Sequence, residues 1–133
     1  MTTPFSYRFD VRLHDTDTAG VMFFAHLLRH AHDAYEAFLA SRDISLATLI
    51  EDGVQLPIVH CDADYRGAMR LGDTITVTPA LAKLGGRSFT LRYRFIGETG
   101  NDLAVAQTVH VTSGSSLPSA LLNALNQLPS DDE

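Results

Sequence analysis

The stretch "HDTDTAGVMFFAHLLRHAHDAYEAFL", residues 14–39, decides the fold. From Phe24 the period changes: Phe24, Leu27, Leu28, Ala31, Tyr35, Phe38 and Leu39 recur at helical spacing, to about Ser41. The apolar stripe is wide, so the helix is expected to lie against a sheet. Ahead of it, residues 5–13, "FSYRFDVRL", alternate with period two. Phe5, Tyr7, Phe9, Val11 and Leu13 face one way and the polar residues the other, which predicts a half-buried strand. Strand and helix meet at a turn carrying Asp15, Asp17 and Gly20.

Beyond the helix, "SLATLIEDG" predicts a short second helix capped by Gly53. Four strand-like runs follow, at 59–67, 73–84, 87–97 and 102–112. Gly85-Gly86 predicts a tight hairpin and "ETGND" the next turn. Pro79 predicts a bulge or an edge position. Within these runs Ile75, Val77 and Leu81 share one side, as do Phe89, Leu91, Tyr93 and Phe95, and Leu103, Val105, Val109 and Val111. The other face would carry Thr74, Thr76, Thr78, Ser88, Thr90, Arg92, Arg94, Thr108 and His110. The pattern reads as strand, long helix, then an antiparallel meander: an α+β domain. Residues 118–133 add a short amphipathic helix and an acidic, frayed tail.

A chain of 133 residues fits one domain, 1–133, burying about two-thirds of its unfolded surface. With 45% hydrophobic and 20% charged residues it reads as globular, and no apolar run reaches the ~20 residues of a membrane span. The start, "MTTPFSYRF", lacks the pattern of a secretory leader, so the cytoplasm is the expected location. The single cysteine, Cys61, excludes an intrachain disulfide and is expected to be buried and inert. A net charge of −6 argues against a general nucleic-acid binder.

Three readings of Asp15 and Asp17 compete. "DTDTAG" resembles the opening of a calcium loop, but Ala19 and His26 stand where a fifth-position oxygen and a twelfth-position Glu are needed. Both carboxylates fit helix capping and dipole complementation. They equally fit chemistry: free amides at a helix start polarise a carbonyl, and a neighbouring carboxylate attacks it or activates water. His26 and His30, four residues apart, suggest a metal pair but lack a partnering Glu, and His32 with Glu36 reads as an ordinary helical pair. Walker, dinucleotide and serine-hydrolase motifs are missing from the sequence.

The 5–39 region, "LPIVHCDADYRGAMRLGD" (56–73), "GGRSF" (85–89) and "AQTVHV" (106–111) together resemble the hotdog-fold acyl-CoA thioesterases of the 4-hydroxybenzoyl-CoA thioesterase family. The resemblance spans about residues 5–112 and implies a long central helix wrapped by a curved antiparallel sheet of about five strands, with dimers pairing into homotetramers. It implies thioester hydrolysis with no metal or cofactor, coenzyme A being part of the substrate. The family's catalytic carboxylate falls on Asp17, as nucleophile or general base, with Asp15 supporting the turn. The Phe24 backbone N–H would hold the oxyanion, and Lys83 and Arg87 the CoA phosphates, often across a subunit boundary. Many relatives carry Tyr at the position of Phe23.

Within that family, "AHDAYEAFL", "LPIVHCDADY" and "AQTVHV" look most similar to the 1,4-dihydroxy-2-naphthoyl-CoA thioesterases of phylloquinone and menaquinone biosynthesis. Met22, Phe23, Leu56, Pro57 and Ile58 would then line a flat apolar pocket, and His60 would bond a ring hydroxyl. Two rivals stand beside this expectation. One is a broad-specificity thioesterase for short-chain or aryl acyl-CoA, or for acyl-carrier protein; the other is a non-catalytic acyl-CoA-binding module.

Overall fold

The computed structural model describes residues 4–131. Five strands form one antiparallel sheet: β1 (Tyr7–Asp10), β2 (Ile58–Tyr65), β3 (Thr74–Leu84), β4 (Ser88–Ile96) and β5 (Asp102–Val111). Their spatial order is β1-β3-β4-β5-β2. Helix α1 (His26–Ser41) packs its apolar stripe on the sheet; α2 (Leu46–Glu51) and α3 (Ser119–Leu125) are short. Ser45 Oγ caps α2 through the Thr48 amide, and Gly53 takes the left-handed conformation beyond its end.

Leu27, Ala31, Ala34, Tyr35, Phe38 and Leu39 of α1 meet Ile75, Val77, Phe89, Leu91, Tyr93 and Phe95 in one fully buried core. All four aromatic and aliphatic positions expected on one face of β4 are buried there. Leu117, Leu121, Leu125 and Leu128 close the core from the C-terminal side.

Several expectations are corrected. On β5 the buried face is Ala104, Ala106, Thr108 and His110, while Val105, Val109 and Val111 are half-exposed on the outer face opposite Arg94, Thr90 and Ser88. Small residues let the sheet and α1 approach closely, and His110 is accommodated because its polar atoms are bonded. The valines gain their shelter outside, beside the threonine and arginine stems of β4.

The meander holds only for β3, β4 and β5; β2 leaves its sequence neighbour and pairs with β5, and β1 takes the place beside β3. The first strand stops at Asp10, and Leu13 is 74% exposed. The Asp15 carboxylate accepts the Arg12 amide at 2.9 Å and bends residues 13–15 into a 3-10 turn. The expected edge position of Pro79 is observed: β1 pairing ends at Tyr7–Val77, and two residues past Pro79 the C-terminal segment pairs with β3 through Leu81.

Asp131 is not frayed, since its amide bonds Leu81 and its carboxylate lies 3.2 Å from Arg92. The rest of the acidic tail, 132–133, lies outside the described residues. No helix among them is long and apolar enough to cross a membrane.

Candidate active site

The segment joining β1 to α1 folds back on itself. The Phe23 amide bonds the Asp15 carbonyl at 2.7 Å, Thr16 pairs with Met22, and the Asp17 amide bonds the Val21 carbonyl at 2.9 Å. At the tip, Gly20 has φ +76°, a conformation that favours glycine. The exposed Asp17 carboxylate accepts the Ala19 amide at 2.9 Å and the Val21 amide at 3.4 Å, both on Oδ1. Those bonds orient the group and leave Oδ2 without a partner among the described residues. Neither aspartate caps α1, which starts at His26 behind an Ala25 N-cap.

Asp15 is wholly buried. Its Oδ1 lies 2.5 Å from Arg29 and 3.0 Å from His30 Nε2, and its carbonyl holds Phe23. Burial alone would raise its pKa, but the Arg12 amide, the His30 bond and the nearby positive charges outweigh that and hold it below the ordinary carboxylate value. Burial pushes His30 below the ordinary histidine value, against the pull of Asp15. The His30 ring stacks on Phe9 at 3.8 Å. Asp15 therefore anchors the turn to the helix, as expected, and His30 is spent on that anchor. No metal-binding group of three or more His, Cys, Asp or Glu occurs among the described residues. The His32–Glu36 pair is present at 3.8 Å.

Phe23 and Phe24 are exposed at the entry to α1, their rings 4.8 Å apart. The Phe23 carbonyl accepts the His26 amide at 3.0 Å; the Phe24 carbonyl accepts the Leu27 amide at 3.3 Å and the Tyr65 hydroxyl at 2.6 Å. The Phe24 and Ala25 amides donate to no acceptor among the described residues. One end of the sheet thus presents a carboxylate oxygen, two free amides and two exposed phenyl rings. That set can stabilise an oxyanion and attack an acyl carbon.

The remaining expected site residues lie elsewhere in the same subunit. His60 is exposed on β2 and bonds Asp62 Oδ2 at 3.0 Å; Asp62 also accepts from Gln107. From His60 to Tyr65, the β2 residue beside Phe24, is five strand steps, about 17 Å. Leu56 and Pro57 are farther still, tied to β5 through His110 and Val111. Lys83 and Arg87 flank the β3–β4 hairpin, and nine steps of β3, about 30 Å along the strand, separate Lys83 from Thr74, at the end where the Asp17 segment sits. The Arg87 guanidinium is partly spent tying the hairpin to the segment that follows β5, bonding the Gly114 and Thr112 carbonyls at 3.2 and 3.4 Å. Cys61 is exposed rather than buried, because β2 is an open edge with Val59 60% accessible.

Sequence reading missed Tyr65 and His110. The Tyr65 bond spans 41 residues and leaves no local trace. Alternation with the valines of β5 predicts His110 on the polar face. It is instead the end of a buried chain in which only one polarity fits. The Leu56 carbonyl can only accept, so Nδ1 donates to it and Nε2 accepts from Thr108 Oγ1, which in turn accepts from Tyr93.

A model of the thioesterase-like superfamily matches residues 11–125. A 1,4-dihydroxy-2-naphthoyl-CoA hydrolase of Synechococcus elongatus is 39% identical over 103 residues, 76% of this chain and 75% of that protein. The protein of that name from Trichodesmium erythraeum is 38% identical over 110 residues, 80% of each chain. Among solved structures, a 1,4-dihydroxy-2-naphthoyl-CoA thioesterase from Synechocystis superposes with TM-score 0.88 at 33% identity, over 93% of this chain and 96% of that one.

Proposed function

The chain belongs to the thioesterase-like superfamily, with the hotdog architecture, and from that premise we propose that it hydrolyses 1,4-dihydroxy-2-naphthoyl-CoA to 1,4-dihydroxy-2-naphthoate and coenzyme A, a step of phylloquinone or menaquinone biosynthesis. The observation that carries the chemistry is the Asp17 carboxylate, held at one oxygen by two turn amides and free at the other, at the same end of the sheet as the unbonded Phe24 amide. Asp17 attacks the thioester carbonyl carbon, or removes a proton from the water that does. The C–S bond breaks, coenzyme A leaves as thiolate and is protonated, and in the direct route water then cleaves the acyl–Asp17 anhydride. The Phe24 amide bonds the oxygen as negative charge develops on it. Phe23 packs on the aryl group.

We further propose a homo-oligomer, a dimer or tetramer. Leu56, Pro57 and His60 stand too far along β2 to touch, within one subunit, an aryl group joined directly to the carbonyl that Asp17 attacks, and Lys83 and Arg87 lie at the opposite end of β3. The open β2 edge, with Ile58, Val59 and Cys61 exposed, fits the antiparallel β2 of a second copy. Antiparallel pairing exchanges the two ends of β2, so the partner's aryl- and phosphate-binding groups complete the site that Asp17 and Phe24 begin.

The test is the initial rate of CoA release by wild type and Asp17→Asn from the naphthoyl ester, 4-hydroxybenzoyl-CoA, a short aliphatic acyl-CoA and palmitoyl-CoA. The exposed Cys61 requires a background correction in any thiol assay. An Asp17-dependent preference for the naphthoyl ester supports the proposal. A flat or aliphatic profile removes the substrate and pathway, and binding of every ester without release would identify a non-catalytic module.

A further inference from the structure

Tyr65 closes β2, the strand at the far edge of the sheet from β1, yet its hydroxyl crosses to the entry of α1 and donates to the Phe24 carbonyl at 2.6 Å. A planar trans peptide sets its C=O and N–H in opposite directions, so holding one fixes the other. The His26 amide holds the Phe23 carbonyl and thereby aims the Phe24 N–H. The Tyr65 hydroxyl holds the Phe24 carbonyl and thereby aims the Ala25 N–H. Without it, that carbonyl keeps only the 3.3 Å contact from the Leu27 amide.

We propose that Tyr65 is a positioning residue for thioester hydrolysis: by locking the Phe24–Ala25 peptide it aims the Ala25 amide beside the Phe24 amide that His26 already orients, and so completes a two-donor oxyanion site. The inference rests on the oxyanion reading of Phe24 and deepens it. A hydroxyl bond to a peptide carbonyl also polarises that peptide, making its N–H a stronger donor. Preorganised donors of this kind matter because they need no reorganisation as charge develops. Burial raises the Tyr65 pKa, which keeps the hydroxyl a donor through the neutral range. The ring itself is about half accessible, so Tyr65→Phe removes the bond and leaves the packing.

The experiment pairs kinetics with the infrared carbonyl stretch of 1,4-dihydroxy-2-naphthoyl-CoA, carbon-13 labelled at the thioester and bound to Asp17→Asn with and without Tyr65→Phe. Tyr65→Phe alone is expected to lower kcat about five- to tenfold with KM and Tm unchanged, the ~1 kcal/mol of one well-made neutral hydrogen bond. The low-frequency shift seen in Asp17→Asn should shrink in the double variant. A shift that is present in Asp17→Asn and unchanged by Tyr65→Phe, or a kcat within twofold of wild type, overturns the role of Tyr65 alone. No shift in Asp17→Asn itself overturns the oxyanion reading and this inference with it.

Discussion

The substitution His110→Phe is expected to change rank against wild type as pH falls. His110 is fully buried, stacked on Phe89 with ring centres 4.7 Å apart, and donates through Nδ1 to the Leu56 carbonyl at 3.3 Å. Burial lowers its pKa from 6.5 to about 4. The folded protein therefore keeps the ring neutral where the unfolded chain takes up a proton. A lowered folded value means that the stability is whole above about 6.5 and is lost as pH falls toward 4. That gap is worth roughly 3 kcal/mol in all, of which about 2 kcal/mol is gone by pH 5.

A phenyl ring keeps the stacking but strands the Leu56 carbonyl, costing about 1–3 kcal/mol at pH 7. The variant should thus be the weaker protein at neutral pH and equal or exceed wild type near pH 4.5. Urea unfolding followed by circular dichroism suits a chain with no tryptophan. Parallel stability–pH curves for the two proteins would refute the reasoning, because they would show that His110 takes up its proton equally in both states.

Two further outcomes follow from the turn and the open edge. Asp15→Ala leaves the buried His30 ring and the Arg12 amide without their acceptor, so it should cost about 3 kcal/mol or more, roughly 10 °C in Tm by calorimetry; a loss below ~1 kcal/mol would show that the cluster is not a stabilising anchor. Val59→Lys places a charge on the exposed β2 edge and should give a monomer by sedimentation that no longer releases CoA; a wild-type protein that is itself a fully active monomer would sink the shared site.

Helix α1 and strand β4 were legible from sequence because their burial follows from local periodicity alone. Seven of the α1 residues are buried on one stripe, and β4 alternates without exception. The tight β3–β4 hairpin, the Gly53 helix end and the edge position of Pro79 were equally local, set by the conformations that glycine and proline allow or forbid. The position of the Asp15–Asp17 turn between the first strand and the long helix was legible for the same reason, since the change of hydrophobic period that marks it lies within ten residues.

Tertiary structure decided what depends on partners distant along the chain. The face of β5 went to alanine, threonine and histidine because α1 needs close approach there, a demand that valine's greater hydrophobicity conceals. Asp15 found His30, Tyr65 found Phe24 and His110 found Leu56 across 15, 41 and 54 residues, and each bond gave a polar group a buried or positioned role. The sheet order also separated His60, Lys83 and Arg87 from Asp17 within a subunit. Strand length is local, but which end of which strand meets the helix is set only when the whole sheet assembles.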